Sequence, residues 1–300
     1  MFTRRHPFLF FILVFSSIIA ATIVMTSLMA MFEKEERAFG YGERVGVIEI
    51  EGMMTDSRRV LEQIKAFRRQ DSIKAIVLRI NSPGGAVGPA QEVYREIRKT
   101  VENKTVVASL GSIAASGGYY VASAADRIIA NPGTVTGSIG VIMGYTNFQA
   151  LFEKIGLRPV IIKSGEYKDI ASPLRKITDK ERELLQQFTD NIHTQFIEDV
   201  AEGRAERPAA IRKIADGRIF SGETAKGYGL VDQLGNLEDA IECAGRLGGI
   251  KGRVRCVYPP EEKLPILEYL MDMVAARIQS TMAEMSAITP GYMYWPGENG

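Results

Sequence analysis

The chain is short of the residues that most often carry catalysis: its 300 residues include two histidines, two cysteines and one tryptophan. His6 stands in the first few residues ahead of an apolar run, so a Ser-His-Asp triad would rest on His193 alone. Cys243 and Cys256 have no metal-binding spacing. One falls in a predicted helix and the other in a predicted strand, so they read as two separate core thiols rather than a disulfide. Charge of one sign is also missing. Lys and Arg total 37 against 36 Asp and Glu, a net charge of +1, which gives no electrostatic argument for a nucleic-acid partner. No internal repeat or low-complexity tract is evident.

With 46% hydrophobic and 24% charged residues, the chain can hold one large α/β domain plus appendages. Pro7 to Phe32 runs without a charged side chain, longer than a signal-peptide apolar core and long enough to span a bilayer. Arg4 and Arg5 precede this run, while Glu33, Glu35 and Glu36 follow it. The positive-inside rule therefore places the N-terminus in the cytoplasm and the body outside. The competing reading is a cleaved signal peptide, with Ser27-Leu-Met-Ala30 as a weak small-residue cleavage site. The expected organisation is a cytoplasmic N-terminus at 1–6, a transmembrane anchor at 7–32, a stalk at 33–44, a folded body at 45–258, and a C-terminal helix and aromatic tail at 259–300. The last part includes a methionine-rich helix from Leu264 to Met285, whose apolar side would cover another subunit or the membrane surface.

Within the body, strands are expected at Val45–Glu51, Ala75–Ile80, Thr105–Ser109, Arg127–Ala130, Val141–Tyr145 and Pro159–Lys163. Helices are expected from Asp56 to Gln70, from Pro89 (at the first helical position) to Val101, and from Ser116 to Ala124. A long helix from Thr178 to Glu202 opens on a Thr178/Glu181 capping box and buries Leu185, Phe188, Ile192, Phe196 and Val200. Ser221 caps a further short helix. Strands alternating with helices predict right-handed βαβ units with sites at strand C-terminal ends.

The polar and small residues gather at those ends. In Gly111-Ser-Ile-Ala-Ala-Ser116-Gly117-Gly118-Tyr-Tyr, a serine opens a buried helix beside free backbone N–H groups, which suits a nucleophile with half an oxyanion hole. Asn81-Ser-Pro83-Gly84-Gly85, Thr136-Gly137-Ser138-Ile139-Gly140 and Ser164-Gly165-Glu166-Tyr167-Lys168-Asp169 close three other predicted strands. With histidine scarce, the base is a lysine. An ordinary lysine has a pKa of about 10.4, and burial can depress it by about 3–5 units, far enough to accept a proton at neutral pH.

In order and spacing these motifs resemble the signal peptide peptidase A family, in its short single-repeat form, within the Clp protease and crotonase-like superfamily. The likeness runs from Val45 to Gly249. It implies an α/β fold with a repeated ββα core behind an N-terminal transmembrane helix, and serine peptidase activity without a cofactor or metal. It also implies Ser116 as nucleophile, Lys168 as general base, Ser138 against the lysine amine, and the N–H groups of Gly85 and Gly117 as the oxyanion hole. Hydrophobic peptides such as cleaved signal peptides are the implied substrates. The inner (cytoplasmic) membrane is the implied location, with the catalytic domain on the extracytoplasmic side. Family members form rings or domes, in which a neighbouring subunit can supply the lysine. Two alternatives are an acyl-CoA enzyme of crotonase type, which would need acidic groups near the hole, and a non-catalytic membrane scaffold, which would lack the serine and lysine.

Overall fold

Ile73 to Ser82 is apolar in an unbroken run from Ala75 to Leu78 and buried at seven of its ten positions, and a strand with such a run must be covered on both faces. The computed structural model describes residues 42–260 throughout, together with residues 15–17, 19–21, 23–25, 273 and 277 and the backbone of 291–293. Residues Met1–Glu43 and Arg44–Gly300 form separate units. In the second, β1 (Arg44–Glu51), β2 (Ile73–Ser82) and β4 (Thr105–Ala115) lie side by side in parallel. The first half of β4 pairs with β5 (Arg127–Ala130) and its last residues pair with β6 (Val135–Gly137), so the sheet forks at this strand. The fork places the C-terminal ends of β2, β4 and β6 together.

The two faces of β2 are covered by different helices. Ile76, Leu78 and Ile80 belong to a core shared with α1 (Arg58–Arg69), α2 (Val87–Val101) and α3 (Gly117–Ser123) through Ile64, Val93, Tyr94, Ile97 and Tyr120. Ala75 and Val77 face Ala240, Ile241 and Ala244 of the helix Leu237–Leu247. The period of two along the strand thus divides the protein into a helix–sheet–helix sandwich. This mixed α/β sheet is consistent with a Clp protease-like fold.

The long helix Asp179–Gly203 starts at the expected capping box, in which the Glu181 N–H donates to Thr178 and the Glu181 carboxylate reaches back to the Thr178 N–H. Its buried stripe is shorter than expected: Ile192, Phe196 and Val200 are covered, whereas Phe188 is 49% exposed. Ser221 caps its short helix by accepting from the Thr224 N–H. Pro89 is not the first helical residue, because α2 begins at Val87.

Two expected strands do not form. Val141–Tyr145 lies outside every named strand, and Pro159–Lys163 is irregular, with Val160 86% and Ile162 96% exposed. Neither segment can extend the sheet at β6, where the antiparallel strand Ile219–Ser221 takes the pairing groups on the side away from β4. Cys243 is buried and Cys256 exposed, and both thiols are free, so only Cys243 is a core thiol. Residues 15–17, 19–21 and 23–25 are helical, with Phe15, Ile23 and Met25 exposed. The rest of the expected anchor and nearly all of Leu264–Met285 lie outside the described residues. No helix among the described residues is long and apolar enough to cross a membrane.

Candidate active site

Ser116 sits between β4 and α3 with φ 54° and ψ −120°, a conformation that L-residues seldom adopt. Both of its peptide groups are fixed. Its N–H donates to the Gly137 carbonyl at 2.8 Å, and its carbonyl accepts from the Tyr120 N–H at 2.8 Å. Held this way, the side chain is fully buried and its Oγ has no hydrogen-bond partner among the described residues. Gly117 opens the helix, so its N–H has no intrahelical acceptor.

Gly85 is brought to this helix by close packing that no side chain would permit. The Met54 N–H donates to the Gly84 carbonyl and the Ala86 N–H to the Met54 carbonyl, both at 2.8 Å, so Gly85 is clamped between two backbone bonds. A Cβ on Gly85 would lie 2.3 Å from the Met54 oxygen, and one on Gly118 would lie 2.6 Å from the Ser82 oxygen. The first turn of α3 therefore abuts the turn that carries Gly85. Ser138 follows Gly137 with φ 51° and is 6% exposed, and its N–H donates to the Arg218 carbonyl at 2.8 Å. The structure thus brings Ser116, Gly117, Gly85 and Ser138 to one place.

Lys168 is not brought there. It is exposed in a turn, and the unpartnered Ser116 Oγ excludes a hydrogen bond between them within this chain. An ion network braces the loop around it. Arg175 grips Asp169 through its Nε at 2.8 Å and also pairs with Glu181, while Lys163 pairs with Asp169. Hydrogen bonds from Arg175, with the Thr178 N–H, hold the Glu181 carboxyl at about 2. Those from Arg175 and Lys163 take Asp169 well below the usual carboxylate range. His193, half-buried, places Nε2 3.2 Å from the Ile139 carbonyl. It lines a cavity of about 490 Å³ with Ser138, Asp190 and Asp216.

Sequence reasoning missed what supports the nucleophile from behind. The buried Asp199 accepts from the Tyr120 hydroxyl and pairs with Arg95 at 2.9 Å, and its backbone carbonyl accepts from the Tyr94 hydroxyl at 2.6 Å. Tyr120 also packs its ring on Tyr94 and Phe196. The available signal was an aspartate adjoining Val200 on the apolar stripe of the long helix, where an acid needs a partner.

A hydroxyl freed from competing partners and aimed from a strained helix start defines a serine hydrolase that works by acyl transfer. Comparison with known proteins makes this specific. The family model for peptidase family S49 matches residues 98–251, and that for Clp protease matches residues 41–134. A Synechocystis protein provisionally named a protease is 42% identical over 210 residues, covering 69% of this chain and 76% of its own. A protein of Enterococcus faecium provisionally named signal peptide peptidase SppA is 38% identical over 61% of this chain and 53% of its own. Protease 4 of Salmonella typhi is 34% identical over 74% of this chain and 36% of its own. The chain belongs to peptidase family S49, the signal peptide peptidase A family, and is a serine peptidase.

Proposed function

We propose that the protein is a membrane-anchored serine endopeptidase with a Ser116–Lys168 dyad that degrades cleaved signal peptides and similar hydrophobic peptides on the extracytoplasmic side of the inner membrane. The observation that carries this reading is the buried, unpartnered Ser116 Oγ beside the clamped Gly85 turn. In the cycle, Lys168 takes the Ser116 proton as Oγ attacks a peptide carbonyl, and the N–H groups of Gly85 and Gly117 hold the oxyanion. The amine then leaves with the proton, and water hydrolyses the acyl-enzyme. Ser138 holds the neutral lysine amine. Because Lys168 is exposed and unbonded to Ser116 in one chain, the base reaches the serine from a neighbouring copy in a ring or dome. The uncharged run from Pro7 to Phe32 supports the anchor, ahead of a repeated ββα core and a peptidase domain at 45–258.

Peptide cleavage assayed on separated membrane and soluble fractions tests the reading. Activity should sediment with the membranes and fall by about 10³-fold or more in Ser116→Ala, Lys168→Ala and Lys168→Arg, since arginine stays protonated at any working pH. Lys163→Ala and His193→Ala should keep most of the rate. An active Lys168→Ala beside a dead His193→Ala would refute the dyad.

A further inference from the structure

In the proposed cycle the oxyanion N–H groups belong to β3 (Gly84–Ala86) and to the start of α3, whereas the base is held at Ser138. The base also hands its proton to the departing amine, so the part of the peptide that follows the cut leaves past Ser138. Ser138 lines the cavity of about 490 Å³, a volume in the range of ligand pockets. Its side chain is 6% exposed, and its hydroxyl makes no hydrogen bond among the described residues, so a buried polar group is left facing this space.

The rest of the lining is sorted by chemistry. Val141 and the half-exposed Ile142 offer apolar surface, and Asp190 and Asp216 offer carboxylates. Most of the polar groups are already used. The Ile139 carbonyl meets His193 Nε2 and accepts from the Gly217 N–H, both at 3.2 Å, the Thr189 hydroxyl donates to the Leu185 carbonyl at 2.8 Å, and Asp216 is paired with Arg218. Asp190 differs. Its Oδ1 accepts from Gln186 Nε2 at 2.8 Å, and among the described residues its carboxylate has no cation. Apolar surface beside such a carboxylate fits a side chain with an aliphatic stem and a cationic head.

We propose that this cavity is a specificity pocket for a lysine or arginine side chain on the departing part of the peptide, with Asp190 receiving its charge. This rests on Ser116 as the nucleophile and on a base held at Ser138. Asp190 lies at the exposed rim, where an ion pair is worth up to about fivefold in affinity.

Leucine–alanine peptides carrying lysine, norleucine or glutamate as the first or second residue after the cut test the pocket, with the cut located by mass spectrometry. At one of these two positions, wild type should show a kcat/KM about fivefold higher for lysine than for norleucine, with glutamate lowest. Asp190→Asn should bring the lysine-to-norleucine ratio to about one. Asp190→Lys should invert the order in favour of glutamate, a gain that damage to the fold cannot produce. A wild-type ratio near one at both positions refutes the proposal, as does a lysine preference that survives Asp190→Asn. Anisotropy of the same peptides, labelled and bound to the Ser116→Ala chain, makes the comparison without turnover. If wild type cuts none of them, the peptidase reading fails, while a lysine preference in affinity that Asp190→Asn abolishes still supports the pocket. Equal affinities refute it.

Discussion

Replacing Ser116 should stabilise the protein while silencing it. The backbone at φ 54°, ψ −120° is sparsely populated by L-residues, and such a residue stores about 1–3 kcal/mol. The buried Oγ adds a second term, since a polar group left unbonded costs about 1–3 kcal/mol. Ser116→Ala removes the hydroxyl but keeps the strained backbone, for an expected gain of about 1 kcal/mol. Ser116→Gly also relieves the strain. The extra freedom of glycine in the unfolded chain offsets about 0.5–1 kcal/mol of that, so a net gain of about 1–3 kcal/mol remains. For a domain of this size, 1 kcal/mol moves the melting temperature by about 2–4 °C. Calorimetry of wild type and both variants should show the order Gly, then Ala, then wild type, with both variants inactive on peptide. If either variant melts more than about 2 °C below wild type, the hydroxyl is bonded or the backbone unstrained, and the argument for a poised nucleophile falls.

Gly118→Ala puts a Cβ 2.6 Å from the Ser82 oxygen, so α3 must retreat by about 0.8 Å from the Gly85 turn. Such overpacking costs about 1–3 kcal/mol of stability. A displacement of about 1 Å at a catalytic group lowers kcat/KM by about 10²-fold, which peptide kinetics on the folded variant would read. Glu181→Gln should loosen the loop that carries Lys168, visible as faster limited proteolysis between residues 163 and 178. The wild-type Glu181 carboxyl titrates below its unfolded value, from 4.5 to about 2. Its contribution is therefore present above about pH 4.5 and lost as the pH falls toward 2. Stability measured against pH should show a shallower acid slope in Glu181→Gln, and an unchanged slope would remove Glu181 from the clamp.

The elements that follow from local rules were legible in the chain. The capping box at Thr178, the apolar run of β2 and the glycine-flanked Ser116 each act through residues a few positions apart, so the sequence determined those helices and strands and the loop ends that hold Ser116, Gly85 and Ser138. Pairing partners are another matter. Val141–Tyr145 and Pro159–Lys163 have strand-like composition, yet only the tertiary structure shows that Ile219–Ser221 already holds the edge of β6. The Asp199–Tyr120 bond and the meeting of Gly291–Met293 with Gly84–Ala86 join residues far apart in the chain, and no periodicity records such contacts. The sequence by itself determined which residues could do chemistry. The tertiary structure decided which of them meet, because pairing depends on which polar edges the rest of the fold leaves free.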